Sequence, residues 1–225
     1  MTNHSWSVAG FSIVRSVLTD AEIEQLKKEI DLLPERQGKN CFRDICSLSP
    51  RCLSLAAKLG RRFAEGMICV RSILFDKTPD RNWPVAWHQD MTISVGRKVE
   101  VPGYSCWTVK GGVDSVQPPL DVLESMVTVR LHLDDTPGEN GALSVVPGSH
   151  LLGKIDTDEI RKYIYDNVVC ECKAGDVMLM SPLILHSSRR STQPGHRRVL
   201  HLEYAEESSL AAELEWAVKI ENDEL

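Results

Sequence analysis

The spacing of apolar positions divides this chain into a helical front and a β-rich remainder. Residues 10–14 alternate as a short strand. Thr19 and Glu22 then form a capping box, and Ile23, Leu26, Ile30 and Leu33 follow at helical spacing until Pro34. Residues 35–40 are polar and read as a loop. Ser49 and Pro50 open a second helix, whose stripe of Leu53, Ala56, Ala57 and Leu59 stops near Gly60. From Met67 the period becomes two. Strands are expected over 67–77 and 85–94, with a turn at 76–80 between them. Residues 96–120 are rich in glycine and proline and show no period. A loop of this length is usually functional, and Tyr104, Trp107 and Val113 favour an ordered lid over a linker.

Beyond the lid the strands follow an unusual rule. Over 124–135, Met126, Thr128, Arg130, His132 and Asp134 share one face, and Val127, Val129, Leu131 and Leu133 the other. Over 197–204 the same division recurs, with Arg197, Val199, His201 and Glu203 opposite Arg198, Leu200, Leu202 and Tyr204. Polar faces on otherwise apolar strands predict a lined cavity, with the apolar faces turned outward beneath the helices. Asn140-Gly141 predicts a hairpin turn with 142–146 pairing back, and Gln193-Pro194-Gly195 a second hairpin before the last strand. Turns are also expected at 147–150 and 174–176, strands at 177–180 and 183–186, and a helix in the tail around Leu210, Leu214, Ala217 and Val218. Many short strands with turns between them predict a sandwich or barrel, in a single domain over 1–225.

The net charge of −6 argues against a nucleic-acid surface. No apolar run is long enough to span a membrane, and the first residues do not read as a secretory leader. Seven cysteines without a C-x-x-C pair predict reduced thiols and a cytoplasmic protein.

The chemistry concentrates at Trp87-His88-Gln89-Asp90 and Leu185-His186-Ser187-Ser188. His88 and Asp90, two apart on a strand, share a face, and His186 would complete a two-histidine, one-carboxylate triad. Such a set leaves three positions of an octahedral ion open and suits non-haem Fe(II). The same ligand types suit a zinc hydrolase. A histidine at a strand end is also common without any metal, which leaves a non-catalytic binding module as a third reading.

The ordered segments Phe75-Asp76-Lys77, Trp87-His88-Gln89-Asp90, Glu139-Asn140-Gly141-Ala142-Leu143, Val146-Pro147-Gly148-Ser149-His150 and His186-x-Ser188 followed by Arg197 resemble the phytanoyl-CoA dioxygenase family of Fe(II)/2-oxoglutarate oxygenases. The resemblance implies a mainly β fold, a double-stranded β-helix (a cupin-like jelly roll) buttressed by the N-terminal helices. It implies Fe(II), with 2-oxoglutarate and O2 as co-substrates, and succinate and CO2 as co-products. His88, Asp90 and His186 match the metal ligands, Arg197 the grip on the distal carboxylate of 2-oxoglutarate, and Ser188 its hydroxyl support. Gln89 and Lys77 match positions near the co-substrate. Arg130 departs from the family pattern.

Arg130, Lys110 and Trp107 are the expected substrate contacts. Arg130 lies on a polar strand face, and Lys110 and Trp107 lie on the lid. Two cations near the open side of the metal point to a small, anionic metabolite as the substrate; the alternative is that Lys110 is solvated and Arg130 pairs with Asp134, Glu203 or 2-oxoglutarate itself. The resemblance implies oxidation of the substrate, with hydroxylation as the expected outcome.

Overall fold

The computed structural model describes residues 8–33, 41–192 and 195–222. The polar stretch 35–40 and the Gln193-Pro194 pair lie outside them. The front of the chain forms strand β1 (Phe11–Val14), helix α1 (Asp20–Asp31), strand β2 (Cys41–Arg43) and helices α2 (Ile45–Leu48) and α3 (Pro50–Phe63). The capping box at α1 is complete: Glu22 N–H donates to Thr19 Oγ1 (3.3 Å), and Thr19 N–H donates to the Glu22 carboxylate (2.8 Å). Ser49 caps α3 by accepting the Cys52 N–H at 3.1 Å. Gly60 does not end that helix as its position predicted, because α3 runs to Phe63. A Cβ at Gly60 would fall 1.9 Å from Asn222 Oδ1, so this glycine marks a close crossing of the tail.

The remaining strands are β3 (Ile68–Lys77), β4 (Val85–His88), β5 (Ile93–Val95), β6 (Ser105–Lys110), β7 (Val113–Gln117), β8 (Val127–His132), β9 (Leu143–Val145), β10 (Val168–Cys170), β11 (Val177–Met180), β12 (His186–Ser188) and β13 (Arg197–Ala205); a short helix α4 (Leu120–Ser125) precedes β8. A six-stranded sheet has the order β1-β11-β8-β13-β3-β2, and a four-stranded sheet the order β10-β9-β12-β4. Every pairing is antiparallel. Leu143 and Val145 of the smaller sheet pack on Met178 and Met180 of the larger. The outer face of the larger sheet buries Val129, Leu131, Leu200 and Leu202 against Leu26 and Ile30 of α1 and Leu55 and Leu59 of α3. The inverted strand pattern therefore has the cause expected of it. The apolar faces meet the helices, and the polar faces meet the second sheet.

Several elements differ from the sequence reading. The expected strand over 85–94 is two strands in different sheets, so Asp90 lies beyond the end of β4 rather than on it. The supposed lid supplies β6 and β7 of a third sheet, ordered β5-β7-β6, and its Gly111-Gly112 pair makes the hairpin turn with φ of 64° and 88°. Glu124 and Ser125 belong to α4. The chain leaves Gly141 for β9 in the opposite sheet and does not pair back on β8. β12 and β13 likewise lie in different sheets, so their connection is a crossover, not a hairpin. The tail makes no α-helix among the described residues. It runs as a strap, bridging Trp216 to Val95 and Ile220 to Cys69. Among the described residues no helix is long and apolar enough to cross a membrane.

Candidate active site

His88 ends β4, His186 begins β12, and the pairing of these strands sets the two residues opposite each other. Their ring centroids are 4.2 Å apart. Each Nδ1–H donates to a carbonyl two residues earlier, His88 to Ala86 at 2.8 Å and His186 to Ile184 at 2.9 Å. A carbonyl only accepts, so in each neutral ring the lone pair sits on Nε2. Both Nε2 atoms face Asp90, 3.5 Å from Oδ1 and 3.6 Å from Oδ2. Asp90 is held in place by its own N–H, which donates to Pro182 O at 2.9 Å.

Two lone pairs and a carboxylate aimed at one point repel unless a cation lies among them. Candidate ligand atoms of His88, Asp90 and His186 all lie within 4.8 Å of one another. With both rings oriented by backbone carbonyls, this donor set fits a divalent ion. Burial pushes the His186 pKa down to about 4, which keeps its ring in the neutral, ligating form. Burial opposes ionisation of Asp90, but His186 and His88 outweigh it and hold this carboxyl well below the usual range.

A second cluster lies at the crossing of β3, β12 and β13. Arg197 and Lys77 are direct cross-strand partners. Arg197 Nη1 donates to Gly141 O at 2.8 Å, and its Nε is buried without a partner. Lys77 Nζ donates to Ser188 Oγ at 2.9 Å and to Arg189 O at 2.6 Å, and Ser188 Oγ donates to Gly141 O at 2.9 Å. Among the described residues no carboxylate forms an ion pair with Arg197 or Lys77. Burial, then Arg197 and Arg130, push Lys77 down to about 7; burial, then Arg130, pushes Arg197 down to about 9. Two buried cations side by side without a counter-ion are costly. A dicarboxylate arriving from the metal side supplies one, so this corner fits 2-oxoglutarate.

Gly141 makes the corner possible. It has φ +69°, and a Cβ there would lie 2.6 Å from the Arg189 carbonyl oxygen. A side chain in this left-handed conformation costs about 1–2 kcal/mol before any clash. Gly141→Ala is therefore expected to lower stability by at least that much and to weaken 2-oxoglutarate binding roughly tenfold, a loss of about 1.4 kcal/mol. Thermal melts and co-substrate titrations check this. An unchanged melt with unchanged affinity would show that the corner tolerates displacement.

The remaining expected residues divide. Arg130 and Lys110 line the same cavity as the triad, of about 200 Å³. Arg130 Nη1 and His201 Nδ1 lie 2.8 Å apart, and His201 Nε2 lies 3.1 Å from Glu203 Oε1. Glu203 also accepts from Arg71 Nη1 at 2.8 Å. Asp134, which shares a face with Arg130 in the sequence pattern, instead binds Arg198 on the outer face at 2.9 Å. His132 bonds Thr136 at 3.0 Å and is not part of the cavity wall. Gln89 does not reach the cavity. Its amide nitrogen donates to Gly153 O and Leu183 O, both at 2.7 Å, and its oxygen accepts the Ile155 N–H at 2.8 Å. It clamps backbone beside the site. Trp107 packs against the core beneath the three-stranded sheet and is also absent from the cavity wall.

Sequence reasoning missed Arg43 and Arg71, which line the cavity with Phe75 and Trp83. Arg71 had a signal, because it stands on the 67–77 strand in phase with Phe75 and Lys77. Arg43 had none, since β2 is three residues long.

Residues 51–199 match the phytanoyl-CoA dioxygenase (PhyH) family. The two packed antiparallel sheets make a jelly-roll fold of the kind found in non-haem iron, 2-oxoglutarate-dependent oxygenases, which are oxidoreductases. The chain belongs to the phytanoyl-CoA dioxygenase family, whose cofactor is iron and whose co-substrates are 2-oxoglutarate and O2. Its fold is similar to that of the α-ketoglutarate-dependent carbocyclase SnoK from nogalamycin biosynthesis (17% identity, 92% of this chain and 85% of that one, TM-score 0.68). It is also similar to HygX from Streptomyces hygroscopicus, solved with nickel and 2-oxoglutarate (18%, 91% and 87%, 0.64), and to the epimerase SnoN (20%, 90% and 80%, 0.65). No curated protein sequence matches the chain.

Proposed function

We propose that the chain acts as one cytoplasmic domain that hydroxylates a small-molecule substrate, using iron held by His88, Asp90 and His186. The observation that carries this reading is the pair of Nε2 lone pairs converging on Asp90, a few residues along the strands from an unneutralised Lys77–Arg197 pair. A zinc hydrolase would have use for the first feature and none for the second. Iron, 2-oxoglutarate and O2 together supply an oxidant for an unactivated C–H bond, with succinate and CO2 as co-products.

Each side chain then has a placing role. Arg197 presents a planar fork to the distal carboxylate of 2-oxoglutarate. Lys77 adds charge and fixes Ser188 beside it. Gln89 holds the backbone at Gly153, Ile155 and Leu183, which keeps the flanks of the two histidines from shifting. Hydroxylation is favoured over epimerisation because, among the described residues, the cavity wall presents no tyrosine or cysteine to return a hydrogen atom to the substrate. The cytoplasmic assignment rests on the seven unpaired cysteines.

The test is anaerobic reconstitution with Fe(II) or Zn(II), followed by O2, 2-oxoglutarate and a metabolite panel. Succinate is expected with Fe(II) alone, rising with a substrate whose product gains one oxygen atom. Hydrolysis with Zn(II), or a product of unchanged mass, would reject the reading.

A further inference from the structure

We propose that Arg43 and Lys110 form an anion-binding subsite at the cavity mouth, which holds the carboxylate or phosphate group of the organic substrate while its reacting carbon reaches toward Asp90. This deepens the oxygenase reading above and rests on it.

Charge is the first reason. Among the described residues the cavity wall carries five cationic side chains, Arg43, Arg71, Lys110, Arg130 and Arg197, against two carboxylates, Asp90 and Glu203. The chain as a whole has a net charge of −6, so the surplus of three is local. Fe(II) and the 2-oxoglutarate dianion cancel each other, and binding both leaves that surplus in place. Arg197 is spent on the co-substrate, Arg71 is paired to Glu203 at 2.8 Å, and Arg130 is fully buried against His201. Arg43 and Lys110 remain. Among the described residues neither forms an ion pair with a carboxylate.

Position is the second reason. Arg43 lies on β2, one of the two edge strands of the large sheet, and Lys110 ends β6 in the third sheet. The two walls meet there: a Cβ on Gly111 would fall 2.9 Å from Arg43 Cδ, so the hairpin turn rests on the arginine stem. Lys110 Nζ donates to Thr92 Oγ1 at 2.8 Å, which fixes the ammonium two residues beyond Asp90. Burial, with Arg71 and Arg43 nearby, lowers the pKa of Lys110, as expected for cations crowded without a counter-ion. Two cations from separate sheets, lining one cavity, suit an anionic head group.

The probes are hexanoate, benzoate and hexyl phosphate, with hexan-1-ol as the neutral control. Binding is measured by calorimetry under anaerobic conditions, on protein carrying Fe(II) and 2-oxoglutarate. At least one anion is expected to bind and hexan-1-ol not to. Comparison of hexanoate with hexyl phosphate then tells which head group is preferred. Arg43→Gln and Lys110→Gln are each expected to weaken that anion at least tenfold, Arg43→Lys to restore part of the loss, and Lys98→Gln, a surface cation, to have no effect on it. If Arg43→Gln does not fold, Lys110→Gln carries the test alone. The proposal is overturned if no anion binds, if hexan-1-ol binds as well as the anions, or if the two Gln variants match wild type. A loss confined to 2-oxoglutarate affinity also overturns it, because the pair would then serve the co-substrate. Wild-type protein that binds the anions through Arg43 and Lys110 yet makes no succinate with Fe(II) would instead overturn the oxygenase reading and leave the subsite standing.

Discussion

Asp90→Ala is expected to abolish 2-oxoglutarate turnover and to weaken Fe(II) binding by more than about 100-fold, the upper range for losing a partner one shell further out. His88→Ala and His186→Ala should behave alike, since each removes one of three proposed donors. The fold should survive all three. The triad lies in a cavity, and the main core is built elsewhere, from α1 and α3 on the outer face of the six-stranded sheet. In the metal-free protein Asp90 favours the protonated form of His88, a partly exposed contact whose loss costs at most about 1 kcal/mol. The metal-free melting temperature is therefore expected to stay within roughly 4 °C of wild type, the shift that about 1 kcal/mol produces in a chain of this length. Iron affinity by anaerobic titration and succinate yield are the readouts. Near-wild-type turnover and iron affinity in any of the three would remove that residue from the ligand set.

Arg197→Lys and Arg198→Lys should separate cleanly, although the residues are neighbours. Arg197 faces the cavity, and replacing its fork with a point charge should cost about 2 kcal/mol of 2-oxoglutarate binding, the low end of the range for truncating a buried charged contact. That is roughly a 30-fold rise in the co-substrate requirement. Arg198 faces the helices. Its Nε and Nη2 donate to the two Asp134 oxygens, both at 2.9 Å, and its Nη1 donates to Asp31 at 2.9 Å. Arg198→Lys should lose about 2 kcal/mol of stability instead, a fall in melting temperature of roughly 4–8 °C, with little change in co-substrate affinity. Equal effects on 2-oxoglutarate from both variants would mean that β13 does not present its faces as described.

This contrast was readable from the sequence, because alternation along 197–204 assigns each side chain a face whatever the strand's neighbours are. The same is true of Arg130 and His132 on β8. The capping box at Thr19 and the Ser49 cap were legible for a similar reason, since the parts of each lie within four residues. What escaped is what depends on partners distant in the chain. The hydrophilic residues of β6 show no alternation, because that strand is largely exposed on both faces, and so a sheet read as a loop. Asn140-Gly141 carries a hairpin signature, yet its glycine is needed for close approach to Arg189, and the chain crosses to the opposite sheet. Gln89 stood inside the chemical motif and was assigned to the co-substrate. Its amide is spent on three backbone groups of distant segments, which no local pattern reveals. His88 and Asp90 were placed together for the wrong local reason. They converge because β4 ends at His88 and Pro182 takes the Asp90 N–H, and not because one strand carries both.

The most direct test is a crystal structure of the protein grown anaerobically with Fe(II) and 2-oxoglutarate, with data collected at the iron absorption edge. The expected result is one anomalous peak bonded to His88 Nε2, His186 Nε2 and an Asp90 oxygen, with the distal carboxylate of 2-oxoglutarate on the Arg197 guanidinium. Iron bound elsewhere, or 2-oxoglutarate lying away from Arg197, would contradict the assignment of this site.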